Sequence, residues 1–129
     1  MQKLVLFSLL IISFILSGCS NEAQIKAWNM IDDGALIVDV RTPGEFRSGH
    51  LPGAKLIPVN QLSAKIAEFG TDKNRPIVVY CKSGSRSGRA ESFLKSAGFS
   101  NVINGGGYSH LMSVKEKLDS GELKPEVQS

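Results

Sequence analysis

One short stretch carries the residues best suited to chemistry: Cys81-Lys82-Ser83-Gly84-Ser85-Arg86-Ser87. It follows the clearest strand in the chain, Ile77 to Cys81, and opens directly into a helix expected from about Arg86 to Ala97. A thiol at that junction meets three effects of one sign. A helix N-terminus carries about half a positive charge and several unpaired N–H groups. A tight loop of small residues can turn its amides inward as a nest for an anion. Lys82 and Arg86 add formal positive charge, unless their side chains point to solvent. Each favours the thiolate, the nucleophilic form, and the same nest would stabilise charge on a reacting sulfur. The inert alternative is a small buried cysteine at a strand end. A loop with one glycine, three serines and two cations favours the reactive thiol.

The elements that must position this loop can be read from the apolar pattern. Glu22 to Asp33 has a helical rhythm through Ile25, Ala27, Trp28, Met30 and Ile31, stopped by Gly34. Ala35 to Val40 reads as a strand buried on both faces. Thr42-Pro43 should cap and start a short helix, His50 to Ala54 a turn, and Lys55 to Ile57 a second strand. Asn60 is expected to cap a helix to about Phe69, with Leu62, Ile66 and Phe69 on one face. After Cys81 and its helix, Gly98 marks a stop and Asn101 to Ile103 a last strand. Gly105-Gly106-Gly107 then break into a helix from Tyr108 to Leu118, and the tail from Gly121 is expected to be loose. Alternating strands and helices predict an α/β domain with a parallel sheet covered on both faces. In such sheets ligands bind beyond the carboxyl ends of the strands, where Cys81 lies.

Other polar residues read as support. Asp39 and Arg41, at the end of the neighbouring strand, fit a carboxylate–guanidinium pair bracing the active loop from below better than a catalytic pair. His50 reads as a turn stabiliser, Trp28 as core, and Arg47 and Arg89 as solvated charges; His110 has no evident partner.

The chain has 129 residues and a formal net charge of +3, enough for one domain and too mild to suggest nucleic acid. Leu4 to Leu16 is an apolar run flanked by Lys3. As a helix it would span roughly 20 Å, short of a bilayer core of about 30 Å. It fits an export signal. Leu16-Ser17-Gly18-Cys19 resembles the bacterial lipoprotein cleavage box, which implies lipidation of Cys19. The expected division is a signal peptide 1–18, a lipidated tether 19–22, a folded domain 23–120 and a flexible tail 121–129. The exported protein would be held on a bacterial membrane, on the periplasmic face or cell surface. With Cys19 blocked by lipid, Cys81 has no partner within the chain.

From about Leu36 to Leu118 the chain resembles the single-domain rhodanese (thiosulfate sulfurtransferase) family, especially its short periplasmic phage-shock-type members. The likeness rests on Asp39 to Phe46 continuing through Gly49 to Ala54 and Ile57-Pro58, on Val79 to Ser87, and on Ala97 to Val102 with Asn104-Gly105-Gly106. It departs from the family in leaving no room for a strand before the first helix, and in having Tyr108 where tryptophan often follows the glycines. The resemblance implies a rhodanese-like sheet of about four to five strands. It also implies a sulfurtransferase in which Cys81 takes the outer sulfur of a thiosulfate-like anion as a persulfide and passes it to cyanide or a thiol. Backbone amides from Lys82 to Ser87 would hold that persulfide, and Lys82 and Arg86 would attract the donor. No metal or organic cofactor is needed, no nucleic acid is involved, and a monomer is expected. Three other readings are a lipid-anchored sulfur carrier without free turnover, a cysteine phosphatase or arsenate reductase, and a thiol–disulfide oxidoreductase. The second uses five residues between cysteine and arginine where this chain has four, and the third lacks a resolving cysteine.

Overall fold

The computed structural model describes residues 21–126. The expected signal peptide, the lipidation at Cys19 and the start of the tether lie outside the described residues. Helix α1 (Glu22–Asp32) leads into strand β1 (Leu36–Asp39), helix α2 (Pro43–Ser48) and strand β2 (Lys55–Leu56). Strand β3 (Ile77–Cys81), helix α3 (Ser85–Ser96), strand β4 (Val102–Gly107) and helix α4 (Tyr108–Asp119) complete the chain. The four strands form one parallel sheet in the order β2-β1-β3-β4. The chain moves outward from β1 to β2, then crosses back to place β3 on β1's other side. The ends of β1 and β3 are therefore the point where strand order reverses, the place such sheets leave a crevice.

Alternation along the central strands divides the core in two. Ile77, Val79 and Cys81 face one side with Val38 and Val40, packed under Ala90 and Leu94 of α3 and against Phe69 and Phe99. Val78 and Tyr80 face the other, with Ile25, Ala27 and Trp28 of α1 and Leu111 and Val114 of α4. The thiol thus belongs to the α3 side of the sheet. Trp28 is core, as expected, and its indole N–H donates to the Leu111 carbonyl at 2.9 Å.

Local chemistry accounts for the short helix α2. Thr42 Oγ1 accepts from the Glu45 N–H, Glu45 Oε1 accepts from the Thr42 N–H, and Pro43 takes the first helical position. Three expectations need correction. The helix expected from Asn60 to Phe69 is instead two 3-10 turns, Val59–Gln61 and Ile66–Phe69. Asn60 caps neither, and Lys65 leaves the helical region at φ −110°, ψ 20°; the two turns still bury Leu62 and Phe69. The glycine triplet does not break the last strand but belongs to it. Cys81 pairs with Gly107, and β4 fits one extra residue opposite Val79 to Cys81, a bulge that Gly106 accommodates at φ +86°. The tail from Gly121 is docked at its start: Leu123 packs on the α1–α4 side, and the Asn29 side chain donates to the Pro125 carbonyl at 2.7 Å. Helix α1 begins at Glu22, where the apolar rhythm places it, so the tether expected over 19–22 stops one residue short of its expected end.

Candidate active site

Cys81 is the last residue of β3 and is fully buried. The chain turns over it at Gly84, whose φ of +95° is left-handed backbone that glycine adopts without strain. That turn brings the Gly84 N–H to 3.0 Å from Cys81 Sγ and the Ser87 N–H, in the first turn of α3, to 3.4 Å. Ser87 Oγ lies 3.3 Å from the same sulfur. Burial pushes the thiol's pKa up, but hydrogen bonds from the Ser87 hydroxyl and the amides of Ser87, Ser83 and Gly84 outweigh it, and the net shift is downward. The sulfur therefore sits in a nest of N–H groups at a helix N-terminus, as the sequence suggests.

The rest of the loop divides by role. Lys82, Ser83 and Ser85 are exposed, and among the described residues Lys82 makes no ion pair. Arg86, read from the sequence as a cation for the donor, is instead held by Glu45 across 41 positions of sequence, with Nη1 to Oε1 at 2.8 Å and Nη2 to Oε2 at 3.0 Å. The pair holds the Glu45 carboxyl down to about 2, chiefly through Arg86 and then the Thr42 N–H, and it raises Arg86. Glu45 thus caps α2 and fastens α3's first turn with one carboxylate. Lys82 is left as the loop's free cation among the described residues.

Asp39 and Arg41 form the expected pair, with Arg41 Nη2 to Asp39 Oδ2 at 2.7 Å and both groups buried. Its further contacts differ from the expectation. Arg41 donates to the Gly49 carbonyl and lies against the rings of both Tyr80 (5.6 Å) and Tyr108 (4.8 Å), with no hydrogen bond to residues 82–87. The pair braces the end of α2 and the underside of β3, one residue before Cys81. Tyr108 packs on Tyr80 with ring centroids 6.1 Å apart. His50 stacks on Phe46 and its Nδ1 bonds the Phe46 carbonyl, a turn-stabilising arrangement. His110 pairs with the Asn21 side chain.

Two features were not anticipated. Asn104, on β4, reaches both Ser87 and the Gly84 carbonyl. The glycines at 106 and 107 also admit close neighbours: a Cβ at Gly107 would lie 2.5 Å from the Lys82 carbonyl oxygen, and one at Gly106 2.7 Å from Gln24 Nε2. The run of three glycines was the available signal for the second; Asn104 entered the sequence reading only within Asn104-Gly105-Gly106, with no role of its own.

A cavity of about 250 Å³ lies between α3 and the first 3-10 turn, lined by Val59, Asn60, Leu62, Ser63, Arg89 and Phe93. Among the described residues no cluster of His, Cys, Asp and Glu could hold a metal ion.

Comparison with known proteins agrees with this geometry. Escherichia coli "Thiosulfate sulfurtransferase PspE" is 36% identical over 80 residues, covering 62% of this chain and 77% of that protein. YqhL of Bacillus subtilis is 43% identical over 70 residues, 54% of each chain, so this chain spans about half of that relative. The solved "rhodanese with anions from E. coli" superimposes with a TM-score of 0.57 at 35% identity, over 60% of this chain and 91% of that one. The rhodanese-like domain family matches residues 24–111, a stretch that holds the whole cysteine nest, and the chain belongs to that family.

Proposed function

We propose that this protein is a thiosulfate-type sulfurtransferase that works through a persulfide on Cys81. The observation that carries this reading is the position of Cys81 Sγ, 3.0 Å from the Gly84 N–H and 3.4 Å from the Ser87 N–H at the start of α3. Sulfurtransferase relatives in the same family support the general activity. In the first half-reaction the Cys81 thiolate attacks the outer sulfur of thiosulfate. A new S–S bond forms as the old one breaks, and its electron pair leaves with sulfite. In the second, cyanide or a thiolate attacks the terminal sulfur and Cys81 leaves as the thiolate. The redox balance closes within donor and acceptor, so no external oxidant is needed. Kinetics should be ping-pong.

The amides of residues 83, 84 and 87 would hold the charge on the sulfur through both halves. Lys82, exposed beside the nest, would draw in the dianionic donor, while Arg86, occupied by Glu45, fixes the loop to α2. The direct test is turnover of thiosulfate and cyanide to sulfite and thiocyanate by the purified protein. Parallel initial-rate plots with both substrates are expected, and activity should vanish in Cys81→Ser. Steady release of phosphate from an aryl phosphate without any sulfur transfer would contradict the assignment.

The proposal extends to location: the protein is exported, lipidated on Cys19 and held on a bacterial membrane as a monomer. The support is sequence alone, the Lys3 flank, the apolar run and Leu16-Ser17-Gly18-Cys19. Replacing Cys19 with Ser should release the protein from membranes and abolish incorporation of labelled fatty acid. Persistent labelling of that variant would overturn it.

A further inference from the structure

Asn104 stands on β4 opposite Val79 of β3, beside the strand end that carries Cys81. Its side chain makes three hydrogen bonds. Oδ1 accepts from the Gly106 N–H at 2.9 Å and lies 2.7 Å from Ser87 Oγ, and Nδ2 donates to the Gly84 carbonyl at 3.0 Å. The amide orientation is fixed by two of these. Turned over, its NH₂ would face the Gly106 N–H, donor against donor, and its oxygen would face the Gly84 carbonyl, acceptor against acceptor. Space for it is kept by Gly88, where a Cβ would lie 3.4 Å from Asn104 Nδ2.

That orientation has a consequence for Ser87, which owns one hydroxyl proton and faces two acceptors. Asn104 Oδ1 is 2.7 Å from Ser87 Oγ, and Cys81 Sγ is 3.3 Å from it. While Cys81 is a thiol, the chain is complete in one direction: S–H donates to Ser87 Oγ, which donates to Asn104. Once Cys81 is a thiolate it has no proton to give, and the hydroxyl must leave Asn104 to reach the sulfur.

We propose that Asn104 is a positioning residue of the sulfur-transfer site, a competing acceptor that makes the Ser87 hydroxyl swing from Asn104 Oδ1 to Cys81 Sγ when the thiol ionises. Asn104 thereby favours the resting thiol, and Ser87 favours the thiolate. The hydroxyl is delivered to the sulfur when negative charge arrives there. This deepens the sulfurtransferase reading and rests on it for its purpose, although ionisation of Cys81 can be followed with no sulfur donor present. The charged groups around the thiol are Arg86 with its partner Glu45, the Asp39–Arg41 pair, Lys82 in the loop, and Glu91, whose carboxylate accepts from the Asn104 backbone N–H. None of these is changed by a substitution of the Asn104 side chain.

The test is the thiolate ultraviolet absorbance of the full chain against pH, corrected with Cys81→Ser. Asn104→Ala should lower the ionisation midpoint by about half a pH unit, roughly threefold more thiolate below the midpoint, because the Ser87 hydroxyl loses the acceptor that competes with the sulfur. In a Ser87→Ala background the same substitution should not lower the midpoint. A brace that only holds Gly84 predicts the opposite sign, since a looser nest disfavours the thiolate. An unchanged or raised midpoint in Asn104→Ala, or an equal fall without Ser87, would therefore overturn the proposal. Should Asn104→Ala not fold, the unaltered protein decides. The Asn104 side-chain amide resonances should shift with the same midpoint as Cys81, and resonances that stay fixed through that midpoint refute the switch. A protein that shows the switch yet transfers no sulfur would sink the activity and leave the switch standing.

Discussion

At the scale of single residues, Cys81 and the groups touching its sulfur set the chemistry. Ser87 contributes both an N–H and a hydroxyl to that sulfur. In Ser87→Ala the thiol should ionise about half to one pH unit higher, as loss of one hydrogen bond to a charged group implies. The sign fixes the pH dependence. At pH below both ionisation midpoints the variant should transfer sulfur roughly 3- to 10-fold more slowly, and the deficit should close as pH rises through them and the thiolate forms regardless. A rate–pH profile for both proteins checks this. Lys82 acts at longer range. Replacing it with alanine should raise KM for thiosulfate about 3- to 10-fold, and the difference should shrink in high salt as the charge is screened. The place of Cys81 at the end of β3, under the first turn of α3, was legible in the sequence because strand, loop and helix are adjacent there. Arg86's role was not, because its partner Glu45 lies 41 positions away and belongs to a different element.

At the scale of elements, the nest depends on two long-range seams. The first is the Glu45 carboxylate, which closes the α2 cap and holds α3's first turn. Its carboxyl titrates lower in the folded chain, at about 2, than in the unfolded one. The stabilisation is therefore fully present above the ordinary carboxylate range and is lost as pH falls from there toward 2. Glu45→Gln should flatten the acid limb of stability against pH, which denaturant titrations across that window would show. The second seam is β4 against the loop. Gly107 has an ordinary φ of −89°, yet a Cβ there would meet the Lys82 carbonyl at 2.5 Å. Gly107→Ala should therefore act by displacing the loop. A loss of about 1–3 kcal/mol is expected, as for other overpacked sites, with a larger proportional loss in sulfur transfer. The α/β alternation and the ends of β1, β3 and α3 were readable because apolar runs and caps are local signals. The bulge in β4 and the broken helix after Asn60 were not. Both are settled by what packs above them: the Lys82–Ser83 turn over Gly107, and the core that buries Leu62 and Phe69 while Ser63, Ala64 and Lys65 face solvent.

At the scale of the molecule, the sheet separates a chemical side from a bracing side. Leu94 and Ala90 hold α3 down on the side that carries the thiol. Across the sheet, Trp28, Tyr80 and Leu111 fill the core, and the Asp39–Arg41 pair with Tyr108 steadies the strand end beneath Cys81. Leu94→Ala should cost about 2–5 kcal/mol, as fully buried leucines do, seen as a lower denaturation midpoint at unchanged m-value. Sulfur transfer of the proposed kind requires the fold to present a sulfur able to accept a second sulfur. Intact-mass spectrometry of the purified protein after thiosulfate treatment tests it most directly. A gain of one sulfur atom is expected, located on Cys81, removed by cyanide and absent in Cys81→Ser. An unchanged mass in a folded, fully reduced protein would contradict it.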